Sequence, residues 1–149
     1  NIITKEATLS DVNSLAVLFD HYRIFYEKES DLNAAVSFLT ERIKSQESVI
    51  FIAALSEMIV GFVQLYPIFS STHMKRLWLL NDLYVVTEQR GKGISVLLIN
   101  AAKTLAEKTN ASGLLLETAI DNKVANSLYK KTGFELDSSH NYYFWNNQK

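Results

Sequence analysis

The sequence predicts one α/β (α+β) domain over residues 1–149. Its 149 residues are 48% hydrophobic, which is enough for one sizeable core and leaves no room for a second domain. Runs of β-type composition alternate with segments whose apolar residues recur at helical spacing. One such run leads through a basic turn, with glycines at 91 and 93, directly into a helix. These observations predict a sheet with packed helices and a specialised loop between one strand and one helix.

Local patterns in the first half of the chain predict a strand, two helices and a β-meander. The elements are, in order, a strand at 2–6, a helix entered through the capping box Thr8 to Asp11, a helix over 32–43 capped by Ser30 or Asp31, and β-rich runs at 49–55, 59–68 and 76–86. Ser-Glu-Met joins the first two β-rich runs into a hairpin, and Pro67 marks the far end of that hairpin.

The second half of the chain continues the alternation of helices and strands. Its predicted elements are a helix whose first turn is 93–96, a strand at 114–118, a helix that contains Tyr129, and a final strand pair around Phe134 and Tyr142 to Trp145. The whole order is therefore β-α-α-β-β-β-α-β-α-β-β.

The basic turn before the third helix predicts an anion-binding site. The first backbone NH groups of a helix have no internal partners, and the helix dipole places partial positive charge there. Gly91 and Gly93 let a ligand approach these groups closely, while Arg90 and Lys92 add formal charge, which favours a pyrophosphate. Taken alone, the same pattern also fits an ordinary connection with solvated basic residues.

Two common phosphate loops do not fit this turn. The dinucleotide fingerprint needs a third glycine at the position of Val96. A P-loop needs Ser or Thr after the Gly-Lys pair, where the chain has Gly93.

Two blocks of sequence resemble the GNAT superfamily of N-acetyltransferases. The first, Arg90-Gly-Lys-Gly-Ile-Ser95, is similar to the family's coenzyme A loop, although Ser95 stands where the family has Gly or Ala. The second, residues 122–134, matches the family pattern Asn-x-x-Ala-x-x-Leu-Tyr-x-x-x-Gly-Phe. By itself the second block also fits a helix that Asn122 caps and Gly133 ends. The resemblance covers essentially the whole chain.

The resemblance implies the GNAT fold and acetyl-CoA as co-substrate. Its mixed central sheet would splay between the fourth and fifth strands, here 80–86 and 114–118, and the pantetheine arm would lie in the gap as an added pseudo-strand. The implied coenzyme contacts are the main chain of Leu83, Tyr84 and Val85 at the arm and thioester, and Gln89, Arg90, Gly91, Lys92, Gly93, Ile94 and Ser95 at the pyrophosphate.

The resemblance also implies direct attack by a primary amine on the acetyl group. Tyr129 occupies the position of the family's usual general acid, because a phenol can protonate the departing thiolate. Its alternative role is to pack on the pantetheine and hydrogen-bond the sulfur. Asn122 would bind the pantetheine or cap its helix.

Two carboxylates are candidates for deprotonating or holding the acceptor. Asp82 and Glu117 lie near the ends of the two splayed strands, and each could also be structural or solvated. The segment around Asp82 is similar to polyamine acetyltransferases, but Asn81 stands where they have an acidic residue. Tyr26 and Glu27 fall where this fold usually sets acceptor specificity, and aromatic faces beside carboxylates suit a cation. We therefore expect a small cationic amine or a protein amino group as acceptor.

Composition narrows the partners and the location. A net charge of −1 gives no basic field for nucleic acid. No apolar run approaches the ~18 residues of a membrane span, and the absence of cysteine suits a cytoplasmic protein. The three histidines lack ligand spacing, so we expect no metal. A homodimer is expected from family habit only.

Two other functions fit the same residues. The chain could be a catalytically idle acyl-CoA-binding or regulatory module of this fold, against which the intact Tyr129 argues. A plain nucleotide-binding domain would require that ATP or NAD, and not coenzyme A, stabilise the protein.

Overall fold

The structure is a computed structural model that describes residues 1–148, which group into two compact units. The first unit, Asn1–Glu117, holds most of the regular structure. Its elements are β1 (Ile2–Glu6), α1 (Val12–Phe25), α2 (Leu32–Lys44), β2 (Val49–Leu55), β3 (Met58–Ser70), β4 (Lys75–Val85), α3 (Ile94–Lys108) and β5 (Leu114–Leu115), with short 3-10 helices at Leu9–Asp11 and Thr87–Gln89. The second unit begins at Thr118 and contains α4 (Lys123–Lys131).

The sheet of the first unit is mixed. Its strand order is β1-β2-β3-β4-β5, and each neighbouring pair is antiparallel except β4 and β5, which are parallel. The α/β class and the mixed sheet predicted from the sequence are therefore confirmed. β2 has the predicted bounds, and α2 is capped by Asp31, whose side chain accepts a hydrogen bond from the backbone of Ala34 at 3.1 Å.

Two groups of buried side chains hold the helices on the sheet. In the first, Leu15 of α1 and Leu39 of α2 are 1% exposed and join a cluster with Ile52 and Phe62 of the strands. In α3 the buried stripe is Ile94, Leu98, Ile99, Ala102 and Ala106. Such burial is the main stabilising term of a domain of this size. No helix within residues 1–148 is long and apolar enough to cross a membrane.

The β3 and β4 pairing contains one irregularity. Gln64 pairs with Asp82 and Leu65 pairs with Leu80, so Asn81 is an extra residue on β4. This is a β-bulge, a feature that re-aims the side chains next to it and is common beside active sites.

The predicted strand at 114–118 is shorter than expected. Only Leu114 and Leu115 pair with β4, and the chain then leaves the sheet. Apolar composition continues to residue 116, but strand length is set by the partner backbone rather than by composition.

The predicted final strand pair is wrong. Residues 134–148 form neither helix nor strand. Within this segment Tyr143 is 92% exposed and Phe144 is 89% exposed. Asp137 instead accepts local hydrogen bonds from the backbone of Ser139 at 3.0 Å and the hydroxyl of Tyr142 at 3.0 Å. Local side-chain bonds of this kind compete with strand pairing, so aromatic β-propensity alone did not decide the structure.

Candidate active site

Among the described residues, 1–148, one flank of β4 has no strand partner over half of its length. Its parallel pairing with β5 joins Trp78 to Leu114 and Leu79 to Leu115 and ends there. From Leu80 to Val85, β4 pairs with β3 but not with β5. The pairing therefore ends at the level where the fourth and fifth strands were expected to splay, and a strand edge without a partner strand suits an amide-rich chain added as a pseudo-strand.

The glycine turn after β4 fits an anion. Gly93 is the N-cap of α3 and, like Gly91, has a left-handed backbone, with φ of 81° and 78°. Apart from the glycine itself and its two chain neighbours, no described atom lies within 4 Å of the place where a side chain would begin at either glycine. A phosphate therefore has room beside the turn that leads into the first amides of α3, and Ser95 lies half-buried in this first helical turn.

The two basic side chains of the turn are held by contacts with β4 and with the turn itself. The Arg90 Nε donates to the carbonyl oxygen of Val85 at 2.8 Å, and its guanidinium lies 5.4 Å from the ring centre of Tyr84. The Lys92 Nζ donates to the Gln89 Oε1 at 3.1 Å. Both charges therefore stay beside the helix start, and Arg90 still has its terminal nitrogens for a phosphate.

Asp82 is a buried carboxylate on β4, the strand that leads into the glycine turn. It is 5% exposed, and it accepts hydrogen bonds from Gln64 Nε2 at 2.8 Å and from Asn81 Nδ2 at 3.0 Å. Burial raises the pKa of Asp82 because it disfavours the charged form, while bonds from Gln64, Tyr22 and Asn81 oppose that rise. A buried carboxyl group with a raised pKa is a better proton acceptor near neutral pH than an exposed one.

The β-bulge brings Asp82 to the edge of a cavity. The backbone oxygen of Asn81, the extra residue of the bulge, accepts a bond from the Tyr22 hydroxyl at 3.4 Å, which ties α1 to β4. The adjoining cavity has a volume of about 530 Å³. It is lined by Phe19, Tyr22, Arg23, Tyr26, Lys28, Ala34, Ala35, Phe38, Tyr66, Asn81 and Asp82.

Tyr66 in this cavity stays protonated. Desolvation and the neighbouring Asp82 raise the pKa of Tyr66 to about 12. At neutral pH the phenol can donate a hydrogen bond to a ligand, but it cannot act as a base.

A second buried carboxylate, Asp20, fixes the segment that borders the cavity. It accepts bonds from the Ser30 hydroxyl at 2.6 Å and the backbone NH of Asp31 at 2.8 Å, and these bonds lower the pKa of Asp20. The connection between α1 and α2 is therefore pinned to α1.

In the second unit, Tyr129 lies near the end of α4. Asn122 is the N-cap of this helix, and its side chain accepts a hydrogen bond from the backbone NH of Ala125 at 3.1 Å. It ends in a Schellman motif: Phe134 N donates to Tyr129 O at 2.9 Å, and Gly133 has φ of 99°. The Phe134 ring packs edge-on against Tyr129 with centres 5.6 Å apart, which explains the spacing Tyr-x-x-x-Gly-Phe.

The structure brings some of the predicted site residues together. Asp82 and Tyr26 line one cavity, while Glu27 and the exposed Glu117, which follows β5, are not among its lining residues. The predicted coenzyme contacts at 83–85 and 89–95 follow one another along β4 and the glycine turn. Asn122 and Tyr129 both belong to the second unit.

Sequence reasoning missed several residues of the cavity and the buried hydrogen-bond partner of Asp82. Gln64 could have been found, because it is the one polar side chain in the apolar run 59–65 and such a residue needs a buried partner. Tyr66, Arg23 and Lys28 gave no such signal. Among residues 1–148, no group of three His, Cys, Asp or Glu side chains could hold a metal ion.

Comparison with known proteins identifies the class. The profile of the Acetyltransferase (GNAT) family matches residues 15–134. The chain is 44% identical over 142 residues to an uncharacterized N-acetyltransferase, YhfO, of Bacillus subtilis strain 168, covering 95% of both proteins. It is 32% identical over 128 residues to a probable acetyltransferase of Haemophilus influenzae, covering 85% of this chain and 86% of that protein. A crystal structure of a probable acetyltransferase superposes with a TM-score of 0.94 at 38% identity, covering 99% of each chain.

The chain belongs to the GNAT acetyltransferase family. It is an enzyme, an N-acetyltransferase that depends on acetyl-CoA.

Proposed function

We propose that the protein acetylates a small primary amine that binds, as its cation, in the cavity beside Asp82. The observation that carries this proposal is a buried carboxylate with a raised pKa at the edge of a cavity of about 530 Å³. The family supplies the acetyl transfer, and the acceptor and the roles below are our proposals.

The residues of β4 and the glycine turn fit coenzyme A. The main chain of 83–85 would pair with the pantetheine arm, and the amides of Gly91 to Ser95, with Arg90 and Lys92, would hold the pyrophosphate. Open space over both glycines supports this fit. When bound, acetyl-CoA supplies an activated thioester whose acetyl group the amine attacks directly.

Asp82 would hold the ammonium and take its proton, directly or through a water. An amine is mostly protonated at neutral pH and attacks only after it loses a proton. The raised pKa of Asp82 narrows the difference in basicity between carboxylate and amine, which makes this transfer easier. Glu117, which is exposed, is the weaker candidate for this role.

The rings around Asp82 would bind the acceptor's cationic and apolar parts. Tyr22 packs edge-on against Tyr26, with ring centres 5.1 Å apart, and both rings line the cavity. Aromatic faces attract an ammonium group and exclude water from it. The Tyr66 phenol would donate a hydrogen bond to an acceptor oxygen.

Tyr129 would act as the general acid that protonates the departing thiolate, with Asn122 beside the pantetheine. Its match to the family motif supports this role, and its ring contact with Phe134 would hold it in place. We also propose that the whole chain forms one acetyltransferase domain, because the family match at 15–134 runs through both compact units.

The test is thiol release from acetyl-CoA with a panel of amino acids, polyamines, aminoglycosides and lysine peptides. We expect turnover with one class of small amine, and a loss of about 10² to 10⁴-fold in kcat/KM for Asp82→Asn. Binding of acetyl-CoA without turnover on any amine would support an idle binding module instead. Turnover that is unchanged by Asp82→Asn would remove Asp82 from the reaction.

A further inference from the structure

The acceptor cavity contains more positive than negative charge. Its lining includes one carboxylate, Asp82, and two cations, Arg23 and Lys28. We propose that the acceptor amine also carries a carboxylate, as amino acids do, and that Arg23 and Lys28 bind this carboxylate while Asp82 faces the amine. This inference rests on the proposed function of the cavity.

Arg23 is available for a ligand. It is half-buried on α1, and its Nη1 donates to the backbone oxygen of Glu29 at 3.0 Å, which orients the guanidinium. Within residues 1–148, no carboxylate forms a salt bridge with it. Asp20 interacts with it electrostatically, but the two oxygens of Asp20 accept bonds from Ser30 and Asp31. An oriented guanidinium presents a fork of donors that matches a carboxylate.

The end of α1 places Lys28 next to Arg23. Lys28 N donates to the Arg23 carbonyl at 3.0 Å and Glu27 N donates to the Ile24 carbonyl at 2.8 Å, which is the hydrogen-bond pattern of a Schellman motif. Glu27 takes the left-handed position of this turn, with φ of 64°. The backbone of Glu27 therefore ends the helix, and the cations on either side of this turn, Arg23 and Lys28, both line the cavity.

The charge arrangement selects against polyamines. A second ammonium on the acceptor would meet Arg23 and Lys28, and like charges placed together lower affinity. The acidic residues of this turn, Glu27 and Glu29, are exposed and do not line the cavity. A molecule with an amine at one end and a carboxylate at the other satisfies all three charges.

Matched acceptor pairs test the inference. Each pair shares its amine and differs in one charge: β-alanine against β-alaninamide, and glycine against glycinamide, with spermidine as the polycation. We expect kcat/KM for the acid of the preferred pair to exceed that for its neutral partner by at least about 10-fold, the usual effect of one charge-assisted hydrogen bond.

Variants then assign the preference to the two cations. Arg23→Gln should remove the preference for the acid mainly through KM, Lys28→Gln should reduce it less, and Arg23→Lys should restore part of it. Arg76→Gln is the matched control, since Arg76 is also half-buried but does not line the cavity. Melting temperatures of all four variants separate loss of binding from loss of fold.

Each outcome decides the inference. A preference for neutral amides or spermidine would overturn it and leave the proposed function intact, as would a folded Arg23→Gln variant that still prefers acids. If acetyl-CoA binds and no amine of any class is acetylated, both the inference and the proposed function fail.

Discussion

The side-chain amide of Gln64 donates a 2.8 Å hydrogen bond to the carboxylate of Asp82 across the β3 and β4 ladder. Gln64 is 0% exposed, and its own carbonyl oxygen has no hydrogen-bond partner among residues 1–148. A buried amide that is satisfied on its donor side only is costly for stability. The strength of the sheet alone therefore does not explain the pair, whose hydrogen bond stabilises the charged form of Asp82.

The first prediction concerns pH. The hydrogen bond from Gln64 lowers the pKa of Asp82, against the larger rise caused by burial. Removing it in Gln64→Leu should raise that pKa further. If the carboxylate is the active form, activity is lost as the pH falls through this pKa, so the acid limb of kcat/KM should move to higher pH in the variant. A limb that does not move would mean that Asp82 does not titrate in the reaction.

The second prediction separates stability from activity at Asp82. The pKa of Asp82 is higher in the folded protein than in the unfolded chain. Its contribution to the free energy of unfolding is therefore complete below the unfolded pKa of about 4, and it is lost as the pH rises through the pKa of the folded protein. Asp82→Asn stays neutral, and reversal of the Gln64 amide lets its unpartnered oxygen accept from the new NH2 group. The melting temperature of Asp82→Asn relative to the wild type should therefore rise between about pH 4 and pH 8.

The acidic end of that range is the internal control. There both side chains are neutral and similar in shape, so the two melting temperatures should be close. A variant that becomes less stable relative to the wild type as pH rises would contradict the raised pKa.

The third prediction tests the glycine turn. At Gly93, with φ of 81°, a side chain strains the backbone by about 1–2 kcal/mol. The same change places a methyl group where a phosphate would approach. Gly93→Ala should raise the KM for acetyl-CoA about 10-fold or more, a loss of roughly 1.4 kcal/mol in binding.

Gly113→Ala is the control for that measurement. Gly113 also has no described atom within 4 Å of a new Cβ, but its backbone is not left-handed. Its KM for acetyl-CoA should match the wild type. Equal effects of the two substitutions would show that the turn does not bind the coenzyme.

The fourth prediction concerns Tyr129. Tyr129→Phe keeps the ring that packs 5.6 Å from Phe134, so the end of α4 should still form. Loss of the hydroxyl should lower kcat by about 10²-fold if it donates a proton. The control is Tyr143→Phe, since Tyr143 is 92% exposed in the same unit. Full activity of Tyr129→Phe would reduce the role of Tyr129 to packing.

Local patterns were enough to predict most of the elements. The apolar stripe of α2, the β-rich run 49–55 and the glycine pair before α3 each encode their structure within a few residues. The Tyr-x-x-x-Gly-Phe block was readable for the same reason, since the left-handed Gly133 and the ring of Phe134 close the end of one helix.

The candidate site was less readable because it depends on pairing between distant segments. The bulge at Asn81 exists only in the register of β3 against β4, and this register makes Gln64 the partner of Asp82. Arg23 and Lys28 reach the cavity through the turn that ends α1, where the non-glycine residue Glu27 takes a left-handed backbone. The final strand pair was mispredicted because strand-like composition does not specify a partner strand.

Among the residues that the structure describes, β4 has no partner strand on its β5 flank from Leu80 to Val85, and this has a cost outside catalysis. A strand edge without a partner is a template on which another polypeptide can add, which is one route by which folded proteins aggregate. If coenzyme A pairs with this flank, it protects the protein as well as serving as its co-substrate. Purified protein should then remain dispersed longer in storage with coenzyme A than without it, as light scattering over days would record.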